Sequence, residues 1–160
     1  GSISRSMIDQ AGFPLLLIPA AYHFKKITAI AFATSLDRND IEALRGLASF
    51  ARYFDAELMI VHASNEHHGE ELQHQKAQAF VDEVNTTVNY EKISLKYIAE
   101  STVQEGISKL ADHEEVDLLV MVHHPQSLFD RLFTGSHTHA AANQLQIPLL
   151  VMPAGKHPVF

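Results

Sequence analysis

The sequence predicts a doubly wound open parallel α/β sheet of five strands, in the order 3-2-1-4-5, flanked by helices. An extra antiparallel N-terminal strand is expected beside the fifth. Three observations lead there. Short apolar runs alternate with segments of helical period along most of the chain. The last two apolar runs, Leu118 to Val122 and Leu149 to Met152, are separated by a helix-like segment. Strands joined in that way lie parallel. Finally, the start of the chain is repeated near its end.

The repeat is gapless. Residues 1–19 read GSISRSMIDQAGFPLLLIP and residues 135–153 read GSHTHAAANQLQIPLLVMP. Gly1, Ser2, Gln10, Pro14, Leu15, Leu16 and Pro19 recur at Gly135, Ser136, Gln144, Pro148, Leu149, Leu150 and Pro153. Matching at one constant offset is the mark of an internal repeat. Residues 1–20 are therefore expected to be the last helix and strand of a preceding copy. Residues 21–26 are then a linker, 27–156 a complete second domain and 157–160 a tail.

After the connector, Ile27 to Ala33 is dense in apolar residues and reads as a central strand. Asp40 to Phe54 reads as a helix with Ile41, Leu44, Leu47, Ala48, Ala51 and Phe54 on one face. Asp37 or Asn39 is placed to cap it. Glu57 to Ala63 is a second buried strand. Glu70 to Asn85 is a more polar helix with a stripe through Leu72, Ala79, Phe80 and Val84. Lys92 to Ile98 differs: Ile93, Leu95 and Tyr97 alternate with Lys92, Ser94 and Lys96, so this strand belongs at an edge. Ser101 and Gln104 form a capping box for a helix through Ile107, Leu110 and Ala111. Leu118 to Val122 is the fourth strand, and Gly135-Ser136 opens the last helix. The fifth strand, between Pro148 and Pro153, is too apolar for a bare edge. Pairing Pro14, Leu15, Leu16, Leu17 and Ile18 antiparallel with Pro148, Leu149, Leu150, Val151 and Met152 closes that edge across a local two-fold axis.

Composition narrows the function. The chain has 160 residues and is 46% hydrophobic, enough for one full core. It has no Cys, hence no disulfide frame and no thiolate chemistry. Its apolar runs are far shorter than the roughly 18 residues of a membrane helix. The net charge is −7 without a Lys/Arg cluster beyond Lys25-Lys26. Neither nucleic acid nor a membrane is expected as partner, and the cytoplasm is the expected location.

With these residues in view, the chain resembles the universal stress protein family over residues 27–153. Asp117 to Met121 is similar to the family's fourth strand, Arg131 to Ser136 to the approach to its last helix, Pro148 to Val151 to its fifth strand and Leu58 to His62 to its second. The resemblance implies a five-strand α/β domain whose nucleotide-binding members carry G-x-x-G-x9-G-S/T and an aspartate at the end of the first strand. Here the two motif glycines fall at Val122 and Pro125. Valine adds a branched side chain, and proline removes an amide donor where phosphates would be cradled. The strand end reads Ala33-Thr34-Ser35, without the aspartate. Gly135 and Ser136 remain, at a helix start able to hold an anion. Ala33, Ser35, Val122, Pro125, Gly135 and Ser136 thus mark a degenerate nucleotide loop. What the resemblance then implies is the non-nucleotide branch: no cofactor, no enzyme activity, and a stress-response module working as a homo-oligomer or by pairing with a sister domain. The alternatives are an adenine-nucleotide (ATP) binding sensor with a degenerate loop, or a His-rich metal-binding regulatory domain.

Eleven histidines are unusual. His62, His123, His124 and His137 gather in the expected fold at the carboxyl ends of the strands, where open parallel sheets bind ligands. Three or four imidazole nitrogens could hold zinc there. The spacing argues against a dedicated metal site. His137 and His139 point about 200° apart on a helix, and His123-His124 on extended chain face opposite sides. The plainer reading makes His62 a hydrogen-bonded core residue and the others solvated. Glu70-Glu71 and Glu114-Glu115 read as solvated helix surface, and Ser136 as a cap rather than a nucleophile.

Overall fold

A computed structural model describes residues 10, 12–64, 70–99, 103–112, 116–124 and 146–154. The chain forms β1 (Leu15–Leu17), β2 (Ala29–Thr34), α1 (Asn39–Phe54), β3 (Glu57–Ser64), α2 (Glu70–Thr87), β4 (Ile93–Ala99), α3 (Val103–Asp112), β5 (Leu118–His123) and β6 (Leu149–Pro153). The strands make one sheet in the order β1-β6-β5-β2-β3-β4. All neighbours are parallel except β1, which is antiparallel to β6. This is the expected five-strand order with the expected extra strand.

Both faces of the sheet are covered, which is why its central strands are apolar throughout. On β2, Ile30 and Phe32 point into a core shared with Leu44, Leu47 and Ala51 of α1 and Phe80 and Val84 of α2. Ala31 and Ala33 point the other way, into a core with Val61, Met121, Val151 and Leu110 of α3. β4 lies at the far edge, as its alternation predicts, with Ile93 and Leu95 against the core.

At the opposite edge, Leu15 pairs with Val151, Leu16 with Leu150 and Leu17 with Leu149. Leu15 and Leu17 pack against the core. Leu16 is 51% exposed and Ile18 45% exposed, whereas Leu150 is 6% exposed.

Three local readings shift. The first strand starts at Ala29 rather than Ile27, because Asp117 gathers the chain just ahead of it. Asp117 Oδ2 accepts from the Thr28 amide (2.8 Å), the Thr28 hydroxyl (2.8 Å) and the Ala29 amide (3.0 Å). Its Oδ1 lies 3.1 Å from Lys25 Nζ. Second, the α2 stripe runs through Ala77, Phe80 and Val84, continuing to Val88, while Leu72 and Ala79 are exposed. Third, the N-cap of α1 is Arg38, which makes no side-chain cap bond. Asp37 acts one residue earlier: its Oδ1 accepts from the Asn39 amide at 2.8 Å, an Asx turn that leads the chain into the helix. Pro125, Gly135, Ser136, His137, the Ser101 capping box and residues 1–9 of the repeat lie outside the described residues.

Candidate functional site

Elements β2 and β5 are neighbours at the centre of the sheet. From β2 the chain winds outward to β3, and from β5 outward to β6. Their carboxyl ends therefore form the crevice where ligands sit in folds of this kind. Thr34 ends β2 and is buried. Leu36 follows at φ 64°, a left-handed turn that leucine adopts only under constraint. The constraint is visible. The Leu36 amide donates to Thr34 Oγ1 at 2.8 Å, and Leu36 packs against the core. Asp37 then lets α1 begin: its carbonyl accepts from the Asp40 amide at 3.0 Å.

That turn drives Asp40 inward. Asp40 is 3% exposed, in the first turn of α1. The Thr34 hydroxyl donates to its Oδ2 at 2.5 Å. Its Oδ1 makes no hydrogen bond among the described residues and lies 3.7 Å from His124 Nε2. Burial pushes the Asp40 carboxyl up to about 6; the Thr34 hydrogen bond and His124 pull it down, and nearby Asp37 raises it further. His124 follows β5 and is mostly shielded. His62, on β3, is buried with Nδ1 3.2 Å from the Thr34 carbonyl oxygen. The result is a continuous polar thread, His124 to Asp40 to Thr34 to His62, across the ends of three strands. A carboxyl beside an imidazole in a shielded place can share or exchange a proton near neutral pH.

Of the residues that mark the degenerate nucleotide loop, Ala33, Ser35 and Val122 lie among the described residues. Ala33 faces the α3-side core and Val122 the α1-side core, packed with Phe32, Leu150 and Met152. Ser35 is half-buried. Of the imidazoles considered for a metal, His62, His123 and His124 all fall at the carboxyl ends of strands. Among the described residues, no three His, Cys, Asp or Glu side chains gather as a metal site. The sequence reading missed Asp40, which it took only as a helix start. The available signal was a hydroxyl at the strand end followed, across one tight turn, by an acid in the first helical turn.

A family model described as the universal stress protein family matches residues 26–153. No curated protein matches the chain. Among solved structures, a universal stress protein in complex with cAMP superposes with TM-score 0.60 at 16% identity, covering 81% of this chain and 98% of that one. A universal stress protein from Archaeoglobus fulgidus DSM 4304 superposes with TM-score 0.66 at 12% identity, covering 96% of this chain and 54% of that one. Another from Archaeoglobus fulgidus, in complex with dAMP, gives TM-score 0.58 at 13% identity, covering 80% of this chain and 99% of that one. This chain spans about half the length of that Archaeoglobus fulgidus DSM 4304 protein.

Proposed function

The chain belongs to the universal stress protein family, and we propose that it is a non-enzymatic stress-response module that works by joining sheet edges with a sister copy. One observation carries this reading: β1, which repeats β6 in sequence, pairs with β6 about their equivalent residues Leu16 and Leu150. In this reading residues 1–20 are the end of a first copy, residues 21–26 a linker and residues 27–156 a second copy. The module is cytoplasmic, and its partners are the sister domain or another copy. The usual nucleotide does not bind, because Val122 fills its place in the core with a branched side chain and Ala33 brings no carboxylate.

A second reading is adenine-nucleotide sensing. Two relatives of the same fold were solved with cAMP and dAMP. This chain places a buried carboxyl, Asp40, beside the corresponding strand ends.

Two measurements separate the readings. A Leu16→Cys/Leu150→Cys chain, in a protein without native Cys, is expected to close an in-chain disulfide under mild oxidation. Directly opposed strand residues have Cα atoms about 4.5–5.5 Å apart, within disulfide range. Native mass spectrometry with added ATP is expected to show bare protein. A one-to-one nucleotide adduct moves the protein to the sensor reading, and failure of the disulfide removes the edge-joining one.

A further inference from the structure

We propose that residues 35–38, which join β2 to α1, are a proton-operated strap: it is held down while the buried Asp40 carboxyl keeps its proton and loosens when that carboxyl ionises. The strap does not depend on how β1 and β6 pair.

One hydroxyl ties the strap on both sides. Thr34 Oγ1 accepts from the Leu36 amide at 2.8 Å and donates to Asp40 Oδ2 at 2.5 Å. A hydroxyl has a single proton to donate. Giving it to Asp40 fixes the rotation of the hydroxyl, and with it the lone pair offered to Leu36. Whatever moves the Asp40 carboxyl therefore unties Leu36 as well. Leu36 stands at φ 64°, a backbone state that leucine seldom takes and that stores strain. Once untied, that turn relaxes instead of holding its shape unaided.

The carboxyl supplies the drive. Asp40 is 3% exposed, and its Oδ1 makes no hydrogen bond among the described residues. A neutral carboxyl tolerates such a place far better than a carboxylate does. Burial, against the pull of Thr34 and His124, raises the carboxyl from 3.8 to about 6, and Asp37 adds to the rise. These are the titratable groups that face it: Asp37 from the strap, and His124 from the end of β5 at 3.7 Å. His62 of β3 reaches it only through Thr34, whose carbonyl oxygen lies 3.2 Å from His62 Nδ1. Asp40 sits in the first turn of α1. Bringing its charge to water means lifting that turn and the strap ahead of it.

In the lifted strap the carboxyl ionises near its ordinary value, about 4. Acid therefore holds the strap down. Lifting becomes easier from about pH 4 upward and levels off above about pH 6, by about 100-fold in all. The lifted strap exposes Thr34 and Asp40 at the crevice between the carboxyl ends of β2 and β5. That crevice is thus tightened in acid and loosened near neutral pH.

Amide hydrogen exchange, read by NMR on the full chain, tests the strap. The Leu36 and Asp40 amides are expected to lose about 100-fold in protection between about pH 4 and pH 7, after correction for intrinsic exchange. About 1 M urea is expected to leave them unchanged, whereas the Phe32 amide, at the centre of the sheet, responds to urea because it opens only with the whole fold. Asp40→Asn is expected to abolish the fall with pH. His124→Gln removes a partner that lowers the Asp40 carboxyl, so the levelling-off is expected to move to higher pH; a merely structural role for His124 would leave it in place. The parent curve is decisive even if neither variant folds. Protection at Leu36 and Asp40 that ignores pH, or that follows Phe32 in urea, overturns the proposal. So does a fall that persists in Asp40→Asn, or a levelling-off unmoved by His124→Gln.

Discussion

Leu16 stands directly opposite Leu150, and these two residues are the same position of an internal repeat. The pair is symmetric in register and unequal in burial, since Leu16 is about half exposed and Leu150 nearly sealed. Equal chemistry in unequal surroundings gives a direct comparison. Leu150→Ala is expected to cost about 2–5 kcal/mol, the range for a buried leucine. Leu16→Ala should cost less than half of that. Urea unfolding of both variants measures the difference, and equal losses would contradict the asymmetric burial.

Asp40 sets a pH dependence of unusual sign for an acid. Its folded value is raised from 3.8 to about 6, chiefly by burial. In the unfolded chain the proton leaves first. Stability contributed by the protonated form is therefore present below about pH 4 and declines as pH rises through about 6, by on the order of 3 kcal/mol in total. Asp40→Asn keeps an acceptor for the Thr34 hydroxyl and removes the charge. It is expected to be more stable than the parent at pH 7–8, with the advantage vanishing near pH 4. Thermal midpoints measured from pH 4 to 8 give the answer; parallel curves would show that Asp40 carries no buried charge.

Asp117 behaves in the opposite sense. Burial pushes its carboxyl up, but the Thr28 amide and hydroxyl, Lys25 and the Ala29 amide outweigh that and hold it below the ordinary value. Its contribution is present above about pH 4 and is lost as pH falls through the lowered folded value. Asp117→Ala leaves the Thr28 and Ala29 amides without their acceptor, at an expected cost of about 2–3 kcal/mol. Denaturant titration at pH 7 tests it, and a cost below about 0.5 kcal/mol, the level of an ordinary surface change, would show that the carboxylate is dispensable.

Asp55 ends α1 in the left-handed region, φ 55°, with its amide bonded back to Ala51 and Arg52 carbonyls. It also meets Lys92 at 2.6 Å on the surface. Glycine suits the backbone but forfeits the ion pair. Exposed ion pairs contribute little, so Asp55→Gly is expected to leave the thermal midpoint unchanged or raise it. A lowered midpoint would rank the ion pair above the backbone.

The sheet was legible because its determinants are local. The apolar runs at Ile30–Ala33, Leu58–Val61 and Leu118–Val122 announce strands buried on both faces, and the alternation from Ile93 announces an edge. The partner for β6 was legible from the repeat, since an apolar edge needs covering and the repeat supplies a matching strand. Asp40 was not legible. Its burial depends on the Leu36 turn, which is unusual for leucine, and on His124, which arrives from another strand far along the chain. The α2 stripe was misread because Leu72 is apolar yet exposed. Which face a polar helix buries is settled by the neighbour it meets, here α1, rather than by its own composition.

The fastening at Asp117 also has a mechanical meaning. Strand β1 runs antiparallel to β6 at the rim, so tension applied ahead of Leu15 peels it away residue by residue instead of shearing the ladder all at once. The freed connector then draws taut against Lys25 and Thr28, and the load reaches the centre of the sheet between β2 and β5. We predict that single-molecule stretching from the N-terminal side will show a small early extension followed by a distinctly stiffer response. Asp117→Ala should merge the two events. A single rupture in the parent chain would mean that the rim strand and the central sheet yield together.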